Sequence, residues 1–168
     1  MKPGHGRRLW ALFGAIALAA LGAWAFSDRR PALPPLTLAL SDGGTLALQS
    51  LRGRPLVIDY WSVDCPVCLE DMPRLAALYP ELQRRGVTLL GVNIPQDPPP
   101  AIMAMAKRLQ VPWPLAMDPR GELAEALRGV HITPTLMIFD RDGRLVTRLH
   151  GRLQPQRLLA LLDDIRKR

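Results

Sequence analysis

The sequence predicts an α/β fold, in which a central mixed sheet is flanked by helices and preceded by an N-terminal β-hairpin and an N-terminal transmembrane segment. Short apolar or alternating runs, typical of strands, are interspersed with longer stretches in which apolar residues recur every three or four positions, as in helices. A continuous apolar run near the N-terminus reaches the length needed to span a bilayer. The 168 residues are enough for one domain with a full core.

The first thirty residues differ from the rest of the chain. Lysine and arginine precede an apolar run at 9–26, a pattern typical of a secretory signal or of an uncleaved membrane anchor. Ala23 and Ala25 form a small-residue cleavage pattern, whereas Trp10 and Trp24 stand near the ends of the run, where interfacial tryptophans occur. We expect a single-pass anchor in residues 1–30 with the following domain exported, and a cleaved signal is the alternative.

The charge of the chain gives little support to nucleic-acid binding. The formal charge is +7, but residues 1–30 contain five Lys or Arg and one Asp. Residues 31–168 therefore carry 17 basic and 14 acidic residues, a net charge of +3. These charges are scattered, and no basic run is interleaved with aromatic residues.

The exported part divides into a spacer and a domain. Residues 31–35 are rich in proline and predict a stiff spacer before a domain at 36–168. Alternating residues predict a hairpin at 36–48, and an apolar, branched run predicts a central strand at 56–61. The later predicted elements are a helix from Cys65 to about Gln83 kinked at Pro73, a strand at 87–94, a helix at 101–109, an extended segment at 112–117, a helix at 119–128, strands at 135–140 and 144–150, and a helix at 155–166.

The most informative motif is Cys-Pro-Val-Cys at 65–68, which contains the only two cysteines of the chain. At a helix N-terminus, two cysteines at this spacing lie within bonding reach, and the free backbone N–H groups stabilise a thiolate on the first. The pair can therefore cycle between dithiol and disulfide. A zinc site would need two more ligands, and the three histidines form no pair with ligand spacing. A purely structural disulfide would close a loop too short to constrain the unfolded chain appreciably.

The motifs resemble those of the thioredoxin superfamily and, within it, of the membrane-tethered TlpA/ResA-like thiol–disulfide oxidoreductases. The resemblance covers residues 34–167. It depends on Leu-Arg-Gly-Arg-Pro at 51–55, Tyr-Trp at 60–61, the cysteine motif, Gly-Val-Asn at 91–93, Thr-Pro-Thr at 133–135 and Asp-Arg-Asp-Gly at 140–143. It implies a thioredoxin-like fold and a disulfide reductase of the cytochrome c maturation or copper-tolerance-associated type. It also implies a bacterial inner-membrane anchor and a periplasmic catalytic domain.

The resemblance implies that Cys65 attacks a substrate disulfide and that Cys68 resolves the mixed disulfide. Asp59 stands where thioredoxin has a buried aspartate. A carboxyl in an apolar strand has a raised pKa and can take and return the proton of Cys68 near neutral pH. The alternative is a carboxylate paired with a nearby Arg. The Cys65–Cys68 disulfide is then the only redox group, with no organic cofactor and no metal.

Other residues are implied to shape the site. Thr133-Pro134 matches the cis-proline loop that faces the cysteines, where the backbone of Thr133 would pair with a substrate strand. Asp71 matches an acidic residue that tunes the thiol pKa values, although an acid is also ordinary in a first helical turn. Asp64 replaces the usual Trp, and its charge should raise the pKa of the neighbouring thiol. Trp61 is expected at the substrate-contact surface.

Three alternatives to a reductase remain open at this point. An oxidase is possible because potentials in this fold range from about −270 to about −120 mV. A copper-binding or metallochaperone protein would combine the cysteines with His131, Met103 or Met105. A peroxidase would need a proline where the chain has Ile58.

The reductase hypothesis also implies partners. These are exported proteins with disulfides or cysteines, a membrane electron donor of the thiol–disulfide type, and the inner membrane. The protein is expected to be a monomer that binds no nucleic acid.

Overall fold

The computed structural model describes residues 30–167, whose strands form one seven-stranded mixed sheet. The strands are β1 Thr37–Leu40, β2 Thr45–Ala47, β3 Leu56–Trp61, β4 Thr88–Asn93, β5 Leu115–Met117, β6 Thr135–Phe139 and β7 Leu145–His150. The helices are α1 Pro66–Arg84, α2 Pro99–Leu109, α3 Glu122–Ala126 and α4 Pro155–Lys167, and a 3-10 helix spans Leu48–Leu51. The predicted α/β class with a mixed sheet is confirmed.

The strands lie in the order β2-β1-β5-β4-β3-β6-β7. Strands β3, β4 and β5 are mutually parallel, and every other neighbouring pair is antiparallel. In the parallel pair β3 and β4, Trp61 lies opposite Asn93, so both strands end at the same edge of the sheet. The loops that follow them are therefore neighbours.

Strand β3 is buried along its whole length, as its apolar sequence predicted. Because successive side chains of a strand point to opposite faces, Val57 and Trp61 pack in one apolar cluster with helices α1 and α4. Ile58 and Tyr60 pack in a second cluster, which includes α3 and the 3-10 helix. Burial on both faces leaves this strand almost no contact with solvent.

All four helices differ from their predicted bounds: α1 and α4 by one residue, α2 by two residues at its start, and α3 at both ends. Helix α1 starts at Pro66 with Cys65 as its N-cap, and it continues through Pro73 and Pro80. Helix α3 has only five residues, and its start is set by the carboxylate of Asp118, which accepts hydrogen bonds from the first-turn amides of Leu123 and Ala124. Residues 119–121 are a turn that precedes this capped end, so the prediction of a helix over 119–128 is wrong at both ends.

Residues 31–33 pack against the domain, within the stretch 31–35 for which the sequence predicts a stiff spacer. Ala32 forms a β-bridge with Arg144, and the amide of Leu33 donates to the carbonyl of Gly143 over 2.8 Å. Leu33 is buried in the second apolar cluster. The predicted anchor at 9–26 lies outside the described residues. Within residues 30–167, no helix is both long enough and apolar enough to span a membrane.

Gly91 in β4 is expected to tolerate no side chain. A Cβ atom there would lie 2.5 Å from Cδ2 of Leu115 and 3.3 Å from Nε1 of Trp113. Because both neighbours are buried, Gly91→Ala should lower the free energy of unfolding by about 2 kcal/mol. Urea unfolding followed by circular dichroism measures this change.

The matched control is Gly44→Ala in the β1–β2 turn. There only the flexible side chains of Asp42 and Leu40 lie near the added carbon. The control should change stability by less than about 0.5 kcal/mol. Equal stability of the Gly91→Ala and wild-type proteins would contradict the packing at β4.

Candidate active site

The two cysteines lie where the chain leaves β3 and enters α1. A turn closed by the bond from the Cys65 amide to the Ser62 carbonyl (3.2 Å) leads from the strand to the helix. The sulfurs of Cys65 and Cys68 are bonded to each other, and the Cys68 amide donates to Sγ of Cys65 over 3.1 Å. Cys65 is 9% exposed and Cys68 only 3% exposed, so Cys65 is the more accessible sulfur.

Asp59 lies in the middle of β3 and faces the helix that carries the cysteines. It lines a cavity of about 10 Å³ together with Cys68, Asp71 and Pro134. This space admits nothing larger than a water molecule. Burial, and next the negative charge of Asp71, raise the pKa of Asp59 from 3.8 to about 7. Pairing with an Arg would lower this pKa, so the shift disagrees with that alternative.

Asp71 is a buried residue of α1, only 7% exposed, and does not stand on the solvent face of the helix. Its Oδ2 atom accepts a hydrogen bond from the amide of Leu153 over 2.6 Å. Its Oδ1 atom lies 3.4 Å from Nη1 of the exposed Arg74. The structure therefore brings Asp71 and Asp59 to the same cavity beside Cys68.

The loop before β6 forms another wall of this cavity. The peptide bond between Thr133 and Pro134 is cis, the isomer that the resemblance implies. The carbonyl of Pro134 accepts from the amide of Gly151 over 3.0 Å, which ties the loop to the end of β7. Thr133 is half-buried and Pro134 is buried. Their predicted role in substrate binding stays a prediction.

Trp61 does not belong to a substrate-contact surface, and that prediction is wrong. Its side chain is fully buried, and its ring lies beside Gly91 in the sheet. The alternation of β3 turns Trp61 toward the core, since Val57 and Trp61 share one face. Asp64, in contrast, is exposed directly before Cys65.

The residues considered for copper lie in ordinary surroundings. The ring of His131 packs over Gly129, Met105 packs against the core, and Met103 is 40% exposed. Within 30–167, no three His, Cys, Asp or Glu side chains are grouped to hold a metal ion.

Sequence reasoning missed a buried polar cluster next to the cysteine turn. The carboxylate of Asp97 accepts hydrogen bonds from the Ser62 hydroxyl, the Val63 amide and the Asn93 side chain. No sequence pattern assigned a role to Asp97, which stands directly before three prolines. The available signal was positional: an acidic residue follows β4, whose end lies beside the end of β3.

A family model described as the AhpC/TSA family matches residues 30–148. The thiol-disulfide oxidoreductase ResA of Bacillus thuringiensis is 25% identical over 124 residues, which cover 74% of this chain and 70% of that protein. ResA of Geobacillus thermodenitrificans is 26% identical over 133 residues, which cover 79% of this chain and 75% of that protein.

Solved structures share the fold. The exposed lipoprotein thioredoxin Etrx1 of Streptococcus pneumoniae matches with a TM-score of 0.69 and 25% identity, covering 77% of this chain and 98% of that one. The architecture is therefore thioredoxin-like, and the resemblance that the motifs indicated is confirmed.

Burial of Asp59 predicts a pH-dependent stability. Its folded-state pKa is raised, so the group favours folding at low pH, and this contribution is lost as pH rises from about 4 to about 7. Asp59→Asn removes the titration. Urea unfolding of the disulfide form measures the free energy of unfolding of both proteins. The difference between variant and wild type should shift by about 4 kcal/mol in favour of the variant between pH 4 and pH 8.

Asp71→Asn is the companion variant, since it keeps a side-chain oxygen for the Leu153 amide. It removes the negative charge of Asp71, which is the smaller cause of the raised Asp59 pKa. The pH dependence of stability should therefore move to lower pH but persist. A stability difference between Asp59→Asn and wild type that stays constant from pH 4 to pH 8 would contradict the raised pKa of Asp59.

Proposed function

The chain belongs to the AhpC/TSA family and is a thiol–disulfide oxidoreductase, and we propose that it works as a reductase of disulfides in exported proteins. Its reactive group is the Cys65–Cys68 pair. The direction of electron flow, the anchor at 9–26 and the periplasmic position of the domain are parts of this proposal.

The acidic surroundings of the cysteine pair carry the proposed direction. Asp59 and Asp71 line the cavity beside Cys68, and Asp64 is exposed next to Cys65. Negative charge close to a thiol disfavours its thiolate. An oxidant of this fold depends on a stabilised reduced form, so a destabilised thiolate favours the disulfide and makes the dithiol a better reductant.

The exchange requires two displacements at sulfur. The Cys65 thiolate attacks one sulfur of the substrate disulfide, and the other substrate sulfur leaves as a thiolate. Cys68 then loses its proton to Asp59 and attacks Sγ of Cys65, which releases the second substrate sulfur. The substrate gains two electrons and the chain ends as the disulfide.

The raised pKa of Asp59 suits this proton transfer. With a pKa of about 7, the carboxyl is present in both forms near neutral pH and can accept and return a proton. The same cavity holds Asp59 and Cys68 together with Pro134. A half-buried Thr133 next to that cavity supports pairing of its backbone with an extended substrate segment.

Regeneration of the dithiol requires an electron donor. For an exported domain we propose a membrane protein of the thiol–disulfide type. The apolar run 9–26 would hold the domain at the membrane where such a donor resides.

Single cysteine variants test the two assigned roles. Cys65→Ser should abolish disulfide reduction, because the more exposed sulfur makes the first attack. Cys68→Ser should accumulate mixed disulfides with its substrates, because no second thiol releases them. Non-reducing gels of cells that express each variant, followed by mass spectrometry of the added bands, measure the trapping.

Ser50→Ala is a control at an exposed position of the 3-10 helix and should behave as the wild type. Residual reductase activity in Cys65→Ser, together with no trapped partner in Cys68→Ser, would contradict the roles of both cysteines.

The redox state of the pair in living cells tests the direction. Acid quenching followed by alkylation with a thiol-reactive mass tag should find Cys65 and Cys68 mostly reduced. The reason is that a reductase must be held as the dithiol by its donor. The double variant Cys65→Ser/Cys68→Ser gives the untagged reference. A mostly oxidised pair would reverse the proposed electron flow and favour an oxidase.

A further inference from the structure

The carboxylate of Asp97 is built into the turn that carries the reactive cysteine. Asp97 lies in the loop after β4, and it is only 5% exposed. Strands β3 and β4 end side by side, and the amide of Ile94 donates to the carbonyl of Trp61 over 3.2 Å. The loop that contains Asp97 is therefore held against the turn that follows β3.

Three donors converge on this carboxylate. Its Oδ1 atom accepts from the Ser62 hydroxyl over 2.8 Å. Its Oδ2 atom accepts from the amide of Val63 and from the side-chain amide of Asn93, each over 2.9 Å. Two of the three donors come from the two residues with which the cysteine turn begins.

The same turn determines where the helix begins. The carbonyl of Ser62 accepts from the Cys65 amide, and the Ser62 hydroxyl accepts from the Asp64 amide, both over 3.2 Å. Cys65 then caps helix α1, with its sulfur 3.1 Å from the amide of Cys68. A shift of the turn would move the sulfur away from the N–H groups that favour its thiolate.

We infer that Asp97 is a positioning residue for thiol–disulfide exchange, which holds the Ser62–Cys65 turn so that the Cys65 sulfur stays at the N-terminus of α1. The inference rests on the exchange chemistry of the cysteine pair and is independent of the direction of electron flow. Asp97 acts through the turn and contacts neither substrate nor sulfur in this assignment.

Position and charge act in opposite directions at this site. Loss of the hydrogen bonds frees the turn and raises the pKa of the Cys65 thiol, because the helix N–H groups no longer face the sulfur. Loss of the negative charge alone lowers that pKa. Variants that separate the two effects therefore decide the role of Asp97.

Asp97→Ala removes both the hydrogen bonds and the charge. Asp97→Asn removes the charge and keeps the bonds. Its amide oxygen can accept from Val63 and Asn93, while its NH₂ group donates to the Ser62 hydroxyl. The experiment uses the reduced full-length protein in detergent and follows the alkylation rate of Cys65 by iodoacetamide against pH, with the label located by mass spectrometry.

The midpoint is the pH at which the alkylation rate of Cys65 reaches half its maximum. We expect this midpoint to rise by about one pH unit in Asp97→Ala, so that alkylation well below it slows about tenfold. In Asp97→Asn the midpoint should stay unchanged or fall. Rescue by the amide assigns the effect to the hydrogen bonds and not to the charge.

Asp118→Ala is the matched control. Asp118 is also a buried aspartate at this edge of the sheet, 3% exposed, and it accepts bonds from Tyr60, Leu123 and Ala124. Its loss should lower the free energy of unfolding without moving the Cys65 midpoint. An equal shift in Asp118→Ala would overturn the inference, since general loosening would then explain it.

Two more results would overturn the assignment: an unchanged midpoint in Asp97→Ala, or equal shifts in Asp97→Ala and Asp97→Asn. If Asp97→Ala does not fold, Asn93→Ala decides, because it removes one donor to the Asp97 carboxylate and leaves every hydrogen bond within the 62–65 turn in place. A raised midpoint in Asn93→Ala supports the positioning role, and an unchanged midpoint overturns it.

Discussion

The complete burial of strand β3 is the constraint on which the site depends. Apolar clusters cover both faces of Leu56–Trp61, so its side chains alternate between two cores and all are buried. Asp59 is held in this environment beside Cys68, and burial is the main reason for its raised pKa. The turn that leads to Cys65 begins directly where this buried strand ends.

Carboxylates surround the cysteine pair in distinct ways. Asp59 and Asp71 face Cys68 from inside the cavity, whereas Asp64 is exposed beside Cys65. Asp97 is buried, but its charge is met by three hydrogen-bond donors. Under the proposed function, the first group acts on protons and on thiolate stability, and the last stabilises the backbone that carries the sulfur. The role of each carboxylate therefore depends on the groups around it more than on how many residues separate it from the cysteines.

Local patterns predicted the elements well where burial and sequence agree. The apolar run at 56–61 became β3 without change, and the strand predicted at 87–94 shortened only to Thr88–Asn93. Prediction failed where distant residues decide the structure. The proline-rich start of the domain pairs with Arg144, and the carboxylate of Asp118 sets where α3 begins. Neither contact leaves a periodic signal in the sequence.

By itself the sequence determined the fold class and the cysteine chemistry, and it singled out Asp59 as a candidate site residue, because each depends on a short pattern or on a motif shared with a known family. Only the tertiary structure decided that Asp71 is buried, that Trp61 points into the core and that Asp97 holds the cysteine turn. Ser62 and Asp97 are 35 positions apart, and Asp71 and Leu153 are 82 positions apart. Such pairs meet only when the strands have assembled, since the parallel register and the packing of α1 bring them together.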